Sequence, residues 1–280
     1  MKKIIIANWK MNPLSLKEAK RIFNEIKRTA RKMLKVETVV CPPFVYLQAL
    51  RRTVLRRAAK DGPSLSLGAQ DVFCENPPKV EGGGAHTGEI SAKMLKNLGV
   101  KYVIVGHSER RDPPTGLPAQ AGGGETNEII NKKIKAVLGA GMKVIFCVGE
   151  KERDEEGEYL RFIKDEINEG LKGVQKNFFN PPAGGLIFAY EPIWAISSNK
   201  GAHVDNPESA LRIAIFIRRT IMEIADGQIA RSVPILYGGS ICPQNAEAFL
   251  KDGGMQGLLV GHESLNPKHF NEILKIANQI

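Results

Sequence analysis

No stretch of this 280-residue chain approaches the roughly 18 consecutive apolar residues of a membrane helix. The opening "MKKIIIANWK" has only Ile4 to Ala7 as an apolar run, short of the roughly 7–15 residues of a secretory leader, so it reads as a first strand. Cysteine is scarce. Cys41, Cys74, Cys147 and Cys242 form no CxxC pair, and three of them lie in or beside strand-like runs, which implies buried thiols in a reducing cytoplasm. The five histidines show no HxH or HExxH spacing, so a metal site has no support. No GxSxG elbow marks a serine hydrolase, no GxxxxGK motif occurs, and no GxGxxG follows the first strand. No composition break marks a linker, so residues 1–280 read as one domain.

What the chain has in excess is positive charge, 40 Lys and Arg against 30 Asp and Glu. The clusters "KRTARKMLK" (27–35) and "RRTVLRRAAK" (51–60) share amphipathic helices with apolar residues and read as solvated faces. No aromatic-interleaved basic motif accompanies them, so nucleic acid is not an expected partner, and neither is a membrane. Attraction of a small anionic substrate needs no further motif.

Short apolar runs alternate with helical patterns from end to end. The strand-like runs are Lys3–Ala7, Glu37–Cys41, Leu65–Ala69, Lys101–Gly106, Lys143–Gly149, Leu186–Glu191, Pro234–Tyr237 and Gly257–Gly261. Their near-continuous apolarity suits strands covered on both faces. Between them stand helix starts: a capping box from Ser15 to Glu18, and Asn206-Pro207 and Asn266-Pro267 as cap and first turn. Eight strand–helix pairs predict an α/β protein with a parallel sheet that closes into an eight-stranded (β/α)8 barrel. A doubly wound open sheet is the alternative. In a barrel, chemistry sits at the carboxyl ends of the strands.

Those ends carry Asn8 and Lys10 after the first strand, His107 and Glu109 after the fourth, and Glu191 at the end of the sixth. Gly238, Gly239 and Ser240 follow the seventh, and Gly261 the eighth. Each alone has a plain structural reading: a surface lysine, a hydrogen-bonded histidine, a salt-bridge partner, a strand terminator, a turn. Together they place a cation, an imidazole, a carboxylate and glycine turns at one rim. That set suits proton shuttling beside the carbonyl of a phosphorylated substrate.

The motifs "ANWKMN", "CPPF", "GAQ", "TGEIS", "VGHSERR", "CVGE", "YEPIWAI", "YGGS" and "LLVG", in this order from Ala7 to about Leu265, resemble triosephosphate isomerase. The resemblance implies a TIM barrel that interconverts dihydroxyacetone phosphate and D-glyceraldehyde 3-phosphate without metal or organic cofactor. It makes Glu191 the base, His107 the neutral electrophile, Lys10 the electrostatic partner, Asn8 an aid at the substrate oxygen and Glu109 the holder of Lys10, the family's established division of roles. The mobile lid is then "PIWAISSNKGA", with Pro192, Trp194, Ile196, Ser198 and Lys200. Tyr237 and Ser240 fasten it when closed, and the phosphate rests on backbone N–H groups of Ser197, Ser240 and Gly261, with Gly239 and His262 in the same turns.

The chain departs from the family's pattern in places. Ser197 and Asn199 stand at lid positions where glycines are usual, and His262 stands where a second glycine of the phosphate turn is expected. A side chain there either strains the turn or, protonated, adds charge beside the phosphate. Residues 112–123, "DPPTGLPAQAGG", look inserted, and their Pro and Gly richness reads as a surface loop near the mouth. The stretch 74–91 is longer than usual. Its Thr87 matches the position that enters the neighbouring subunit of the family's dimer, while His86 replaces a usual aromatic. A homodimer is the expectation. Two other readings remain open, an isomerase of a four-carbon sugar phosphate and a barrel that binds sugar phosphate without turnover.

Overall fold

The structure is a computed structural model describing residues 2–55, 65–75, 84–112, 124–179, 185–196 and 205–280. Eight parallel strands close into a barrel in sequence order. They are β1 (Lys3–Asn8), β2 (Val36–Cys41), β3 (Leu65–Ala69), β4 (Tyr102–Val105), β5 (Lys143–Val148), β6 (Leu186–Tyr190), β7 (Ile235–Tyr237) and β8 (Gly257–Val260). Closure is made by β8 beside β1, with Ile4 to Ala7 registered on Gly257 to Val260. The open sheet is thereby excluded.

Alternation along each strand divides the core. Ile4, Ile6, Val39, Cys41, Tyr102, Ile104, Ile145, Cys147, Ile187, Ala189, Leu236 and Leu259 pack together as one cluster. Within β1, β2, β4, β5 and β6 these positions are two apart, which is the spacing of side chains on one face of a sheet. The positions between them, such as Ile5, Val40, Val103, Val144 and Phe188, join the larger cluster beneath the helices. Fully burying each large aliphatic or aromatic side chain stabilises by about 1.5–3 kcal/mol, so the two layers account for the run-on apolarity of the strands.

The helices are α1 (Leu16–Ala30), α2 (Phe44–Leu55), α3 (Ala92–Asn97), α4 (Ser108–Arg111), α5 (Asn127–Gly139), α6 (Glu158–Gly170), α7 (Pro207–Ile224), α8 (Gly227–Ser232), α9 (Pro243–Lys251) and α10 (Pro267–Gln279). Asn206 caps α7 by accepting from Ser209 N–H at 2.9 Å, and Asn266 caps α10 through Lys268 N–H at 3.1 Å.

Several expectations need correction. The Ser15 hydroxyl does accept from Glu18 N–H, but the Glu18 carboxylate turns to Arg21 at 2.6 Å instead of back to the cap. A guanidinium one turn on offers a stronger, charged partner than the cap's neutral N–H. Helix α1 stops at Ala30, so the basic run to Lys35 lies mostly beyond it. Of the four free thiols, Cys41 and Cys147 are buried, whereas Cys74 and Cys242 are half-buried, because they sit on loops above the rim. Most of the inserted segment, 113–123, and the lid residues Ser197, Ser198, Asn199 and Lys200 lie outside the described residues. Among the described residues, no helix is long and apolar enough to cross a membrane.

Candidate active site

The carboxyl ends of the strands surround a cavity of about 630 Å³. Asn8, Lys10, His107, Glu109, Glu191, Ile196, Gly239, Ser240, Gly261 and His262 all line it. Lys10 and Gly261 are in close reach, since a Cβ added to Gly261 would lie 3.7 Å from Lys10 Cε.

Lys10 is the only non-glycine residue with positive φ among the described residues, at +50°. This left-handed backbone costs on the order of 1–3 kcal/mol and persists only where neighbours hold it. Its N–H donates to Asn8 Oδ1 at 3.1 Å. Its carbonyl accepts from Gln70 Nε2 at 2.8 Å, and the same amide donates to Cys41 O at 2.9 Å. Gln70 thus ties the ends of β1, β2 and β3 together. The result is a lysine whose stem starts from a fixed point and whose Nζ lies 2.5 Å from Glu109 Oε1.

His107 follows β4 after Gly106, whose φ of +72° is glycine territory. Its Nδ1 accepts from Glu109 N–H at 3.1 Å. A nitrogen that accepts carries no proton, so the ring is neutral with its hydrogen on Nε2. That Nε2 stands 3.2 Å from Glu191 Oε1.

Glu191 is drier than a strand-mouth position predicts, with 2% exposure. Its burial is offset by donors: Nε2–H of His107 faces one oxygen, and Ser108 N–H donates to the other at 3.2 Å. Its backbone is anchored by donation of its N–H to Val148 O at 2.9 Å. Gly149 passes so close that a Cβ there would sit 2.0 Å from Glu191 O. Arg111 braces this wall from behind, donating to Gly106 O, Asn127 Oδ1 and Cys147 O and lying 3.1 Å from Glu166. Burial pushes the Glu166 carboxyl up to about 7, against the pull of Arg111 and of Gly149 N–H. Burial likewise raises the Cys147 thiol, with Glu191 adding to it.

The segment that follows Glu191 is docked at two points. Pro192 leads into a tight turn, Ile193–Ala195. Trp194 Nε1 donates to Glu150 Oε1 at 2.9 Å, an oxygen that also accepts from Tyr190 OH and Arg153 Nε. Ala195 O accepts from the Ser240 hydroxyl at 2.7 Å. Tyr237 is fully buried, stacked on Phe249 with ring centroids 3.9 Å apart. Burial, with the Asp205 carboxylate beside it, pushes its phenol up.

The glycine turn after β7 is held by Asn245, which donates to Ser240 O at 2.9 Å and accepts from Cys242 N–H at 2.9 Å. After β8, Gly261 O accepts from both the N–H and the hydroxyl of Ser264. His262 opens the turn His262–Leu265 without positive φ, so its side chain brings no left-handed strain. Gln70, Ser108, Arg111, Glu150 and Asn245 were not expected among the site residues. "GAQ", "VGHSERR" and "CVGE" hold the first four, and none of the motifs reaches Asn245.

Comparison with known proteins agrees with this geometry. The family model described as triosephosphate isomerase matches residues 3–277. Proteins named triosephosphate isomerase from Dictyoglomus turgidum and Fusobacterium nucleatum are each 39% identical to the chain. The first match covers 98% of this chain and 99% of the relative, the second 99% and 100%. One of the same name from Aquifex aeolicus is 38% identical over 98% of this chain and 99% of its own. With a match from near the first residue to near the last, the chain belongs to the triosephosphate isomerase family.

Proposed function

We propose that the chain interconverts dihydroxyacetone phosphate and D-glyceraldehyde 3-phosphate, with Glu191 as its base. The observation that supports this most is convergence: Lys10 from β1, His107 from β4 and Glu191 from β6 line one cavity together with the glycine turns of β7 and β8. Relatives carrying this enzyme's name match along nearly their whole length.

In the proposed cycle Glu191 takes a proton from the carbon beside the substrate carbonyl, and the electron pair moves onto the carbonyl oxygen. The developing enediolate meets the Nε2–H of neutral His107 and the ammonium of Lys10, with Asn8 assisting. His107 carries a proton between the two oxygens, and Glu191 returns its proton to the neighbouring carbon. No atom is gained or lost. Glu109 keeps the Lys10 ammonium at the rim, and backbone N–H groups of Gly239, Ser240 and Gly261 receive the phosphate. Lid closure from Pro192 onward, through Trp194 and Ile196, excludes water, with Tyr237 and Ser240 as the latch.

The test is a coupled isomerase assay of wild type and Glu191→Gln. The variant is expected to lose about 10²–10⁴-fold in kcat, the usual contribution of a positioned base. Near-normal turnover in the variant would falsify the assignment.

The working form in this reading is a cytoplasmic homodimer joined through the loop around Thr87. Four free thiols suit a reducing compartment. Met11 and Phe44 line a second cavity of about 260 Å³ beside the first. Next to them Leu14 and Val45 are 92% and 79% exposed, an apolar surface suited to a second copy. Sedimentation velocity should read twice the chain mass; a single-chain mass removes this part of the proposal.

A further inference from the structure

The cavity is short of uncommitted positive charge. Among the described residues that line it, the basic side chains are Lys10, His107 and His262. Lys10 is engaged with Glu109 at 2.5 Å, and both nitrogens of His107 are engaged, one by Glu109 N–H and one by Glu191. Three carboxylates, Glu109, Glu191 and Glu263, line the same cavity. Glu263 is answered from outside by His269 of α10 at 2.5 Å. A dianionic phosphate entering here meets more negative than positive charge on the walls.

His262 is the remaining basic group. It is exposed, lines the cavity, and has no hydrogen-bond or ion-pair partner among the described residues. Its neighbour Gly261 abuts the Lys10 stem, so His262 belongs to the same corner as the ammonium and the β8 turn. An imidazole changes charge between pH 5 and 8, and a protonated one donates from both nitrogens.

We infer that His262 is a specificity residue for the dianion: its protonated imidazole supplies the unpaired positive charge that draws a phosphate or sulfate group onto the turns after β7 and β8. The inference rests on the isomerase reading for its biological ligand. The other ionisable groups facing this corner are Lys10 from β1, Cys242 at the start of α9 and Glu263 on the same turn, with His269 of α10 behind it. Glu109 meets Lys10 at 2.5 Å, and His107 and Glu191 follow it along the cavity wall. All of these stay in place when only His262 is changed, so a difference between proteins isolates its charge.

The probe is sulfate, which keeps both charges across the range in which histidine titrates. Its dissociation constant is measured by titration calorimetry at about pH 6 and about pH 8.5 on wild type, His262→Gln and His262→Lys. Wild type is expected to bind about three- to fivefold more weakly at the higher pH, the effect of one exposed ion pair. The glutamine variant should show the weaker value at both, and the lysine variant the tighter value at both. Equal constants and equal pH dependence in wild type and His262→Gln overturn the inference, as does wild type that binds no sulfate at either pH. The coupled isomerase assay of the same wild-type preparation is the separate readout of the enzyme reading, and its failure leaves the sulfate result standing on its own.

Discussion

The two ends of the barrel are built from the same kinds of polar side chain and use them differently. At the amino end Lys143, the first residue of β5, donates to Tyr102 OH at 3.1 Å and sits 5.0 Å over the Tyr102 ring. Tyr102 OH in turn donates to Glu37, and Lys3 donates to the carbonyls of Leu250 and Met255. Burial, with Glu37 beside it, raises the Tyr102 phenol and so keeps its hydroxyl a donor, while burial lowers the Lys3 ammonium against the two carbonyls that receive it. At the carboxyl end the pairs face a cavity instead of each other's backbone. A strained backbone sits under Lys10, and a buried carboxylate is held by a histidine and one N–H. Polar groups at one end seal the sheet, and at the other they leave room for a ligand and hold their geometry ready for it.

The contrast can be broken from either side. The largest effect is expected at the carboxyl end, where Glu191→Gln should lose activity and also unfold in urea about 1–3 kcal/mol more easily, because the amide keeps the shape but turns its NH2 toward one of the two donors that the carboxylate accepts from. Gly149→Ala comes next. Its methyl would meet Glu191 O, a backbone atom with no rotamer to yield, so Glu191 must shift. A displacement approaching 1 Å costs about 100-fold in kcat/KM, with roughly 1–3 kcal/mol of stability lost to overpacking. Steady-state kinetics at wild-type levels would show that the rim absorbs the methyl elsewhere. The smallest effect belongs to the amino end. Tyr102→Phe should lower the unfolding free energy by about 1 kcal/mol through its lost hydrogen bonds and leave kcat as it was. A kinetic defect there would join the two ends into one functional unit and erase the distinction.

The fold was legible because β-branched and apolar runs recur eight times, and their ends were read to within about a residue; β4 alone is shorter at both ends, Tyr102–Val105. The residues lining the cavity were legible because a barrel sends strand ends to one rim. The supports were not. Gln70 acts on Lys10 across 60 positions, and Ser108 N–H reaches Glu191 across 83. Nothing in a local pattern reports a bond of that span. Glu191 closes a strand at the rim yet is buried, and the donor that offsets its burial, Ser108 N–H, is one of those distant partners. Arg111 lies in "VGHSERR" without being singled out there, yet it braces β4, β5 and two helices. A side chain's partners, unlike its strand, are a property of the closed structure.

The residues that flank 113–123 meet in a narrow neck at the rim. Glu125 N–H donates to Arg110 O at 2.8 Å, and a Cβ on Gly124 would lie 1.6 Å from Arg111 O. Glu125 is also gripped by Lys133 and Arg110. With the two flanks pinned together, the length of chain joining them becomes nearly free, since each doubling of a connection raises its closure cost by only about 0.6 kcal/mol. The neck is therefore a natural graft point, where a peptide tag or a whole small domain could be spliced in while the enzyme's working face keeps its shape.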